Sequence, residues 1–331
     1  MDNRYDRQEK LKDMGFDQSK ISKSHVIIIG IGALGSKSAE LLARAGIKKI
    51  TLVDRDFTEL SNINKQSMYI EKDVGLPKAI VAKKEIKLIN SKIKIDAVVD
   101  DFNYKNAEKI VKNADLVIDG SDNLETRFLI NDVCVKNKIP WIYGAIIRTD
   151  GASFNIVPNG FCLRCVFRKT PEIKDLEICE NVGLLNSLPS IIASKQVTEA
   201  FKILSGCSYS KKYFRINIWN DVFELLNIKK DPKCEVCSQK KFNFLNGEIG
   251  SKMTKMCGQN SFQIDTKIEV RNLKKISEKL KKMGNISYNK YLIHFRIGNK
   301  QISLYKNGRS IISGVKNEGE AKSLLAKYIG N

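Results

Sequence analysis

The sequence predicts an α/β fold: a doubly wound, mostly parallel sheet with an antiparallel extension and a four-cysteine zinc site, followed by a small α+β domain. Three observations carry this. An apolar, mostly β-branched run, Val26–Ile29, passes directly into Gly30-x-Gly32-x-x-Gly35 and then into a helical pattern through Leu41, Leu42 and Ala45. Strand-like and helix-like patterns then alternate for about a hundred residues, the signature of a layered parallel sheet. Finally, two Cys-x-x-Cys pairs bracket a late segment, and the pattern changes character after Lys240.

The elements follow in order. Residues 4–22 have helical spacing, with Tyr5, Leu11 and Phe16 as packing candidates. Val26–Ile29 reads as a central strand buried on both faces, since all four residues are apolar. The glycines turn the chain into a helix, and a second strand, Ile50–Asp54, ends in an acid nineteen residues after Gly35. Strand, glycine turn, helix, strand and acidic tip form a Rossmann-like nucleotide-binding βαβ unit. Gly30, Gly32 and Gly35 let the backbone approach phosphates at a helix N-terminus, and Asp54 can hold a ribose hydroxyl. Residues 57–76 are polar and too long for a simple turn, which at the C-terminal edge of a sheet points to a functional loop. Pro77 opens a helix to about Asn90. Ile95–Val99 is a strand, Asn103–Asn113 a helix and Leu116–Asp119 a strand ending in Gly120-Ser-Asp122-Asn123. Arg127–Asn137 is a helix. Asp150-Gly151 predicts a hairpin turn between strands at 145–148 and 152–157. Residues 168–187 read as irregular. Pro189–Leu204 is an amphipathic helix stopped by Gly206, and strands follow at 213–219 and 222–228.

The boundary is expected between a first domain over residues 1–243 and a second, basic α+β domain over 244–331. The second reads as strands at 263–269, 291–297, 301–305 and 309–313, a basic helix at 273–283, an Asn307-Gly308 hairpin turn and a closing helix, Glu318–Ile329.

Composition narrows the function. The charged start, Met1-Asp-Asn-Arg-Tyr-Asp-Arg7, lacks the apolar core of a signal peptide. No apolar run reaches the roughly 18–20 residues of a membrane span, so a cytoplasmic protein is expected. The chain has 57 Lys/Arg against 37 Asp/Glu, a net charge of +20. Seventeen of those cations, against six acids, lie in residues 245–331, a balance that favours acidic partners. Only two histidines occur, His25 and His294, and neither is placed to act as an acid or base beside the glycine turn. Eight cysteines in a chain of 331 residues read as metal ligands, nucleophiles or core rather than as a disulfide framework.

Cys162-Leu-Arg-Cys165 and Cys234-Glu-Val-Cys237 have the half-site spacing of a tetrahedral four-cysteine Zn2+ centre. The 68 residues between the pairs exceed a zinc ribbon's spacing, so the metal would clamp distant segments. A redox role for a Cys-x-x-Cys pair is the rival reading, and two such pairs weigh against it.

Taken together, the glycine loop, Arg4-Tyr-Asp-Arg7-Gln8, Asp54-Arg-Asp56, Ser61-Asn62-Ile-Asn-Lys65-Gln66, Gly75-Leu-Pro-Lys78, Asp119-Gly-Ser-Asp122-Asn123 and the cysteine pairs resemble the E1-like adenylyltransferase family (ThiF/MoeB/HesA). The resemblance spans about residues 3–240. It implies ATP-dependent adenylation of the C-terminal glycine of a ubiquitin-like sulfur-carrier protein ending in Gly-Gly, in molybdopterin, thiamin or tRNA thiolation pathways. Carried over by position, Gly30, Gly32 and Gly35 would pass the ATP phosphates and Asp54 would hold the ribose. Asn62, Lys65 and Lys78 would contact phosphates, and Asp122 would help bind Mg2+ and position the α-phosphate. Asp56, Gln66 and Asn123 fall in the same nucleotide-binding motifs. Arg7 would reach into the site of a second subunit, implying a homodimer. Cys179 matches the place of a cysteine that in some members forms a thioester or acyl-disulfide with the carrier. Cys257 is a further candidate sulfur-handling thiol, and a sulfurtransferase or tRNA is a further candidate partner. One departure stands out: Lys65 replaces the usual arginine, keeping the charge but losing the bidentate fork.

The chemistry fits the residue inventory. A terminal carboxylate, with a pKa of about 3.5, is already ionised and needs no base to attack ATP. The barrier is anion approaching anion, which cations and a metal-binding acid relieve. Three rival readings remain at this point: an ATP-dependent tRNA-modifying dehydratase of the same superfamily, an NAD-dependent oxidoreductase, and a non-catalytic scaffold for a ubiquitin-like protein.

Overall fold

The computed structural model describes residues 3–168, 183–249, 255–256, 261–265, 272–289, 291–306 and 308–330. The chain divides into two compact units, Met1–Gly250 and Ser251–Asn331.

The first unit is built on an eight-stranded sheet. Its strands are β1 (His25–Ile29), β2 (Lys49–Val53), β3 (Lys94–Val98), β4 (Leu116–Asp119), β5 (Trp141–Ile147), β6 (Asp150–Ile156), β7 (Lys212–Asn217) and β8 (Val222–Asn227). They lie in the order β3-β2-β1-β4-β5-β6-β7-β8. The strands from β3 to β5 in that order are parallel, and those from β5 to β8 are antiparallel. Because every residue from Val26 to Ile29 is apolar, β1 buries both faces. Val26 and Ile28 enter one core layer with Ile50, Leu52 and Ile118, while Ile27 and Ile29 enter the other with Val53, Val117 and Phe128.

Among the described residues the helices beside these strands are α1 (Asp6–Glu9), α2 (Gln18–Ile21), α3 (Ala33–Arg44), α4 (Lys78–Ile89), α5 (Ala107–Val111), α6 (Leu124–Asn137), α7 (Leu163–Val166) and α8 (Leu188–Ser205). Strand order reverses direction at β1, so β2 and β4 flank it and the C-terminal ends of β1 and β4 open a crevice at the topological switch point.

Three elements depart from the sequence expectation. The N-terminal helix is broken: short turns end at Gly15, in the left-handed region at φ 89°, before α2 begins. Tyr5 and Phe16 pack, but Leu11 is exposed. The expected helix at 103–113 shrinks to α5, because Asn103 and Asn106 side chains take up backbone groups and form a turn instead. The hairpin turn sits at Arg148-Thr149, since Ile147 pairs with Asp150 and Ile146 with Gly151. Gly151 belongs to β6 for a packing reason: a Cβ there would approach the Ile192 side chain on α8 to 2.6 Å.

The second unit is a six-stranded sheet in the order β11-β12-β13-β14-β10-β9, antiparallel at every pairing. Its strands are β9 (Lys255–Met256), β10 (Ser261–Asp265), β11 (Asn285–Tyr288), β12 (Leu292–Ile297), β13 (Lys300–Tyr305) and β14 (Arg309–Ser313). Its helices are α9 (Leu273–Leu280) and α10 (Glu318–Ile329). Ile293, Phe295, Ile302, Leu304 and Ile312 form a core with Leu273, Leu280, Leu325 and Tyr328. Strand β11 was not expected from its polar sequence. A tight turn at Gly298-Asn299 joins β12 to β13, and Asn307 lies outside the described residues. Among the described residues no helix is long and apolar enough to cross a membrane.

Candidate active site

The crevice begins with the glycine turn. A Cβ on Gly30 would stand 2.6 Å from the Gly120 carbonyl oxygen, and one on Gly35 would overlap the Gly30 carbonyl. These two glycines therefore let the β1 turn, the β4 loop and α3 close on one another. Gly32 differs: the nearest atom to its Cβ position is Gln66 Nε2, at 3.7 Å. Gly32 is also the N-cap of α3, with no side-chain cap and no acid in the first turn. The first amide N–H groups of α3 are left to an anion, the arrangement that phosphates occupy at helix N-termini.

Asp54 follows β2 and is 8% exposed. Its Oδ2 accepts the Ile31 N–H at 2.6 Å and its Oδ1 accepts the Asp56 N–H at 2.6 Å, which locks the acid to the glycine turn. Burial pushes the Asp54 carboxyl up to about 6, against the pull of Lys78. Lys78, the first residue of α4, is 6% exposed, and its Nζ lies 3.5 Å from Asp56 Oδ2. Burial alone would weaken its charge, but Asp56, Asp54, Asp122 and Glu59 hold it above the ordinary lysine value. Lys78 is thus, with Arg55, a cation within a converging acidic group.

The 57–76 segment covers this turn. The Tyr69 hydroxyl donates to the Ile31 carbonyl at 2.6 Å. Gln66 is buried, its Oε1 has no hydrogen-bond partner among the described residues, and the same is true of Thr58 Oγ1. Asn62 donates to Glu59 Oε2 at 3.4 Å. Lys65 is partly exposed and has no ion-pair partner among the described residues.

At the end of β4, Asp122 and Asn123 are exposed. Asn123, not Asp122, caps α6 by accepting the Thr126 N–H at 2.8 Å. Asp122 lies within electrostatic reach of Lys78 and Arg55. Its loop is pinned from below. Buried Arg127 donates to Asp119 Oδ2 at 3.1 Å, to the Ser121 carbonyl at 2.8 Å and to the Gly144 carbonyl at 3.0 Å. Asp119 also accepts the Ser121 N–H and hydroxyl. Sequence reasoning missed Asp119, Arg127, Arg55 and Tyr69 as contributors. An acid ending a strand and an arginine one turn into the next helix were the available signal for the buried pair.

The structure therefore brings Gly30, Gly32, Gly35, Asp54, Asp56, Gln66, Lys78 and Asp122 to one crevice. It does not bring Arg7 there by any recorded contact: Arg7 is exposed on α1 and unpaired among the described residues. Cys179 and Cys257 lie outside the described residues. His25 is at the far end of β1, bonded to the Asn113 carbonyl and the Thr51 hydroxyl, and takes no part.

The cysteine pairs meet on the α6 side of the sheet. Cys162–Cys234 and Cys165–Cys237 sulfur separations are 3.6 Å, and all four sulfurs lie within 4.8 Å of one another. Tetrahedral Zn–S bonds of about 2.3 Å place sulfurs about 3.8 Å apart, so the cluster is compatible with zinc. The Leu163 N–H donates to Asn131 Oδ1 at 2.9 Å, which ties the cluster to α6.

Residues 5–236 match the ThiF family. The sulfur carrier protein ThiS adenylyltransferase of Bacillus subtilis is 34% identical over 339 residues, covering 100% of both chains. The SAMP-activating enzyme E1 of Haloferax volcanii is 33% identical, covering 71% of this chain and 88% of its own. Among solved structures, E. coli MccB with ATP superposes with a TM-score of 0.64 at 24% identity, covering 72% of this chain and 75% of that one. At that identity the likeness concerns the fold.

Proposed function

The chain belongs to the ThiF family of E1-like adenylyltransferases, and from that premise we propose that it uses ATP to adenylate the C-terminal glycine of a ubiquitin-like sulfur-carrier protein. The observation that carries the reading is the convergence of the free α3 N-terminus, Asp54, Lys78 and Asp122 on one crevice, in a chain alignable end to end with a ThiS adenylyltransferase. The same comparisons favour it over the tRNA-modifying dehydratase and the oxidoreductase.

In this reading the ribose hydroxyls meet Asp54, and the phosphates pass Gly32 and the α3 N-terminus toward Lys78, Asn62 and Lys65. The carrier's terminal carboxylate oxygen bonds to the α-phosphorus, the bond to the bridging pyrophosphate oxygen breaks, and acyl-adenylate and pyrophosphate result. No proton moves, which suits a crevice without histidine. Mg2+ held with Asp122 would neutralise phosphate charge. The finer proposals are a homodimer in which Arg7 serves the second subunit, a covalent sulfur or acyl step at Cys179, and zinc in the four-cysteine cluster.

Carrier-dependent ATP–pyrophosphate exchange tests the reading. Exchange is expected with a Gly-Gly carrier and lost in Asp122→Ala. Exchange that needs no carrier, or that survives Asp122→Ala, would refute the assigned roles.

A further inference from the structure

The second unit carries a strongly basic surface outside the crevice residues of the first unit. Residues 251–331 hold seventeen Lys/Arg against five Asp/Glu. Helix α9 concentrates this charge. Leu273, Ser277 and Leu280 are buried against the sheet, with Ile276 partly buried beside them. At 100° per residue the opposite face carries Lys274, Lys275, Glu278 and Lys279, and Lys281 and Lys282 extend it into the following turn. All five lysines are exposed, and none has an acidic partner among the described residues. The acids of α10 are already engaged: Glu318 with Lys322 at 2.5 Å and Glu320 with Lys300 at 2.6 Å. Lysines at 275 and 279 repel one another at i,i+4 spacing, so the face costs helix stability without a compensating contact.

We infer that the α9 face of the second unit is a binding surface for the phosphodiester backbone of a nucleic acid duplex. Three arguments select this partner. Protein interfaces are depleted of lysine and centre on apolar or aromatic anchors, whereas the exposed positions of α9 itself are charged and the turn after it adds Met283, 46% exposed, beside Lys281 and Lys282. A membrane-binding helix needs a free apolar face, whereas that of α9 is packed into its own sheet. Lysines act as point charges toward phosphates, and a face of lysines that, among the described residues of α9 and the turn after it, exposes no arginine or aromatic group reads charge, not sequence.

The test uses the full chain and fluorescently labelled 20-base-pair RNA and DNA duplexes, with anisotropy read across a salt series. Binding is expected to weaken with a log–log salt slope of about −4, near −0.9 for each phosphate neutralised. Lys275→Gln/Lys279→Gln/Lys282→Gln should flatten the slope by about 2 to 3 and weaken binding at least tenfold at low salt. Lys109→Gln/Lys112→Gln/Lys138→Gln, on the first unit, should leave both unchanged. Carrier-dependent pyrophosphate exchange should be untouched by either triple change, so the two readings fail separately. RNA preferred over DNA, or the reverse, identifies the source of the backbone. No binding by the unaltered chain, or equal loss with both triple variants, overturns the inference. A first triple variant that loses carrier-dependent exchange instead of duplex binding overturns it in favour of protein docking, and equal lysine-dependent binding to anionic vesicles overturns it in favour of a membrane.

Discussion

Lys78 and Asp54 set the electrostatics of the crevice, and each depends on the other. Replacing Lys78 by alanine removes the cation that offsets Asp54 and Asp56. Pyrophosphate exchange is expected to fall by about 100-fold or more, with a lowered Tm, because the buried Asp54 carboxyl and the half-exposed Asp56 then lose one of their two neighbouring cations, leaving Arg55. The Asp54 carboxyl, pushed up to about 6 by burial, favours its protonated form on folding. Its contribution to stability is therefore full below the ordinary carboxylate range and is lost as pH rises through about 6. Nucleotide binding runs the other way, since a ribose hydroxyl needs the ionised acceptor. KM for ATP is expected to rise as pH falls below about 6, and Asp54→Asn should remove that limb of the pH profile. A flat profile in the unaltered enzyme would contradict the assignment. At this scale the sequence made legible which side chains gather at the crevice from their own motifs, as Asp54 and Lys78 do. It was not legible where a residue acts by bracing another motif: Arg127 secures the Asp122 loop through contacts that span 17 residues.

At the scale of elements, β1 and its glycine turn were readable because a strand buried on both faces must be apolar throughout. The Asp150-Gly151 turn was misplaced because a glycine required for close approach to α8 looks, in sequence, like one required for a turn. Helix α8 also carries a charge invisible to periodicity. Glu199 is 1% exposed and accepts from Asn155 at 2.6 Å, the Ser210 N–H at 2.8 Å, and Lys195 and Lys202 at 2.9 Å each. Burial would push its carboxyl up, but these partners pull it down to about 2. Its stabilisation is present above the ordinary glutamate range and lost as pH falls through about 2. Glu199→Gln is expected to cost about 2 kcal/mol at neutral pH and to lessen the acid loss of stability. Urea unfolding at pH 7 and pH 3 checks both expectations.

Across the whole chain, the first unit holds the candidate crevice and the cysteine cluster, and the Haloferax relative corresponds to 71% of this chain. A chain ending at Gly250 is accordingly expected to retain carrier-dependent exchange. The cluster joins segments on either side of α8 and β7–β8, so purified protein should hold about one zinc per chain. Chelation should then lower Tm by about 10 °C; metal analysis and a thermal melt decide this together. The change in charge and pattern after Lys240 was the sequence signal for a boundary at 243/244, and the two compact units divide at Gly250/Ser251, while β11 was hidden because its residues are mostly polar. The most direct measurement of the central claim is intact mass spectrometry of a Gly-Gly carrier incubated with the enzyme, ATP and Mg2+. The account predicts a carrier species heavier by one adenylate, carried on the terminal glycine and absent when that glycine is removed. A carrier left unmodified while ATP is hydrolysed to ADP would contradict it.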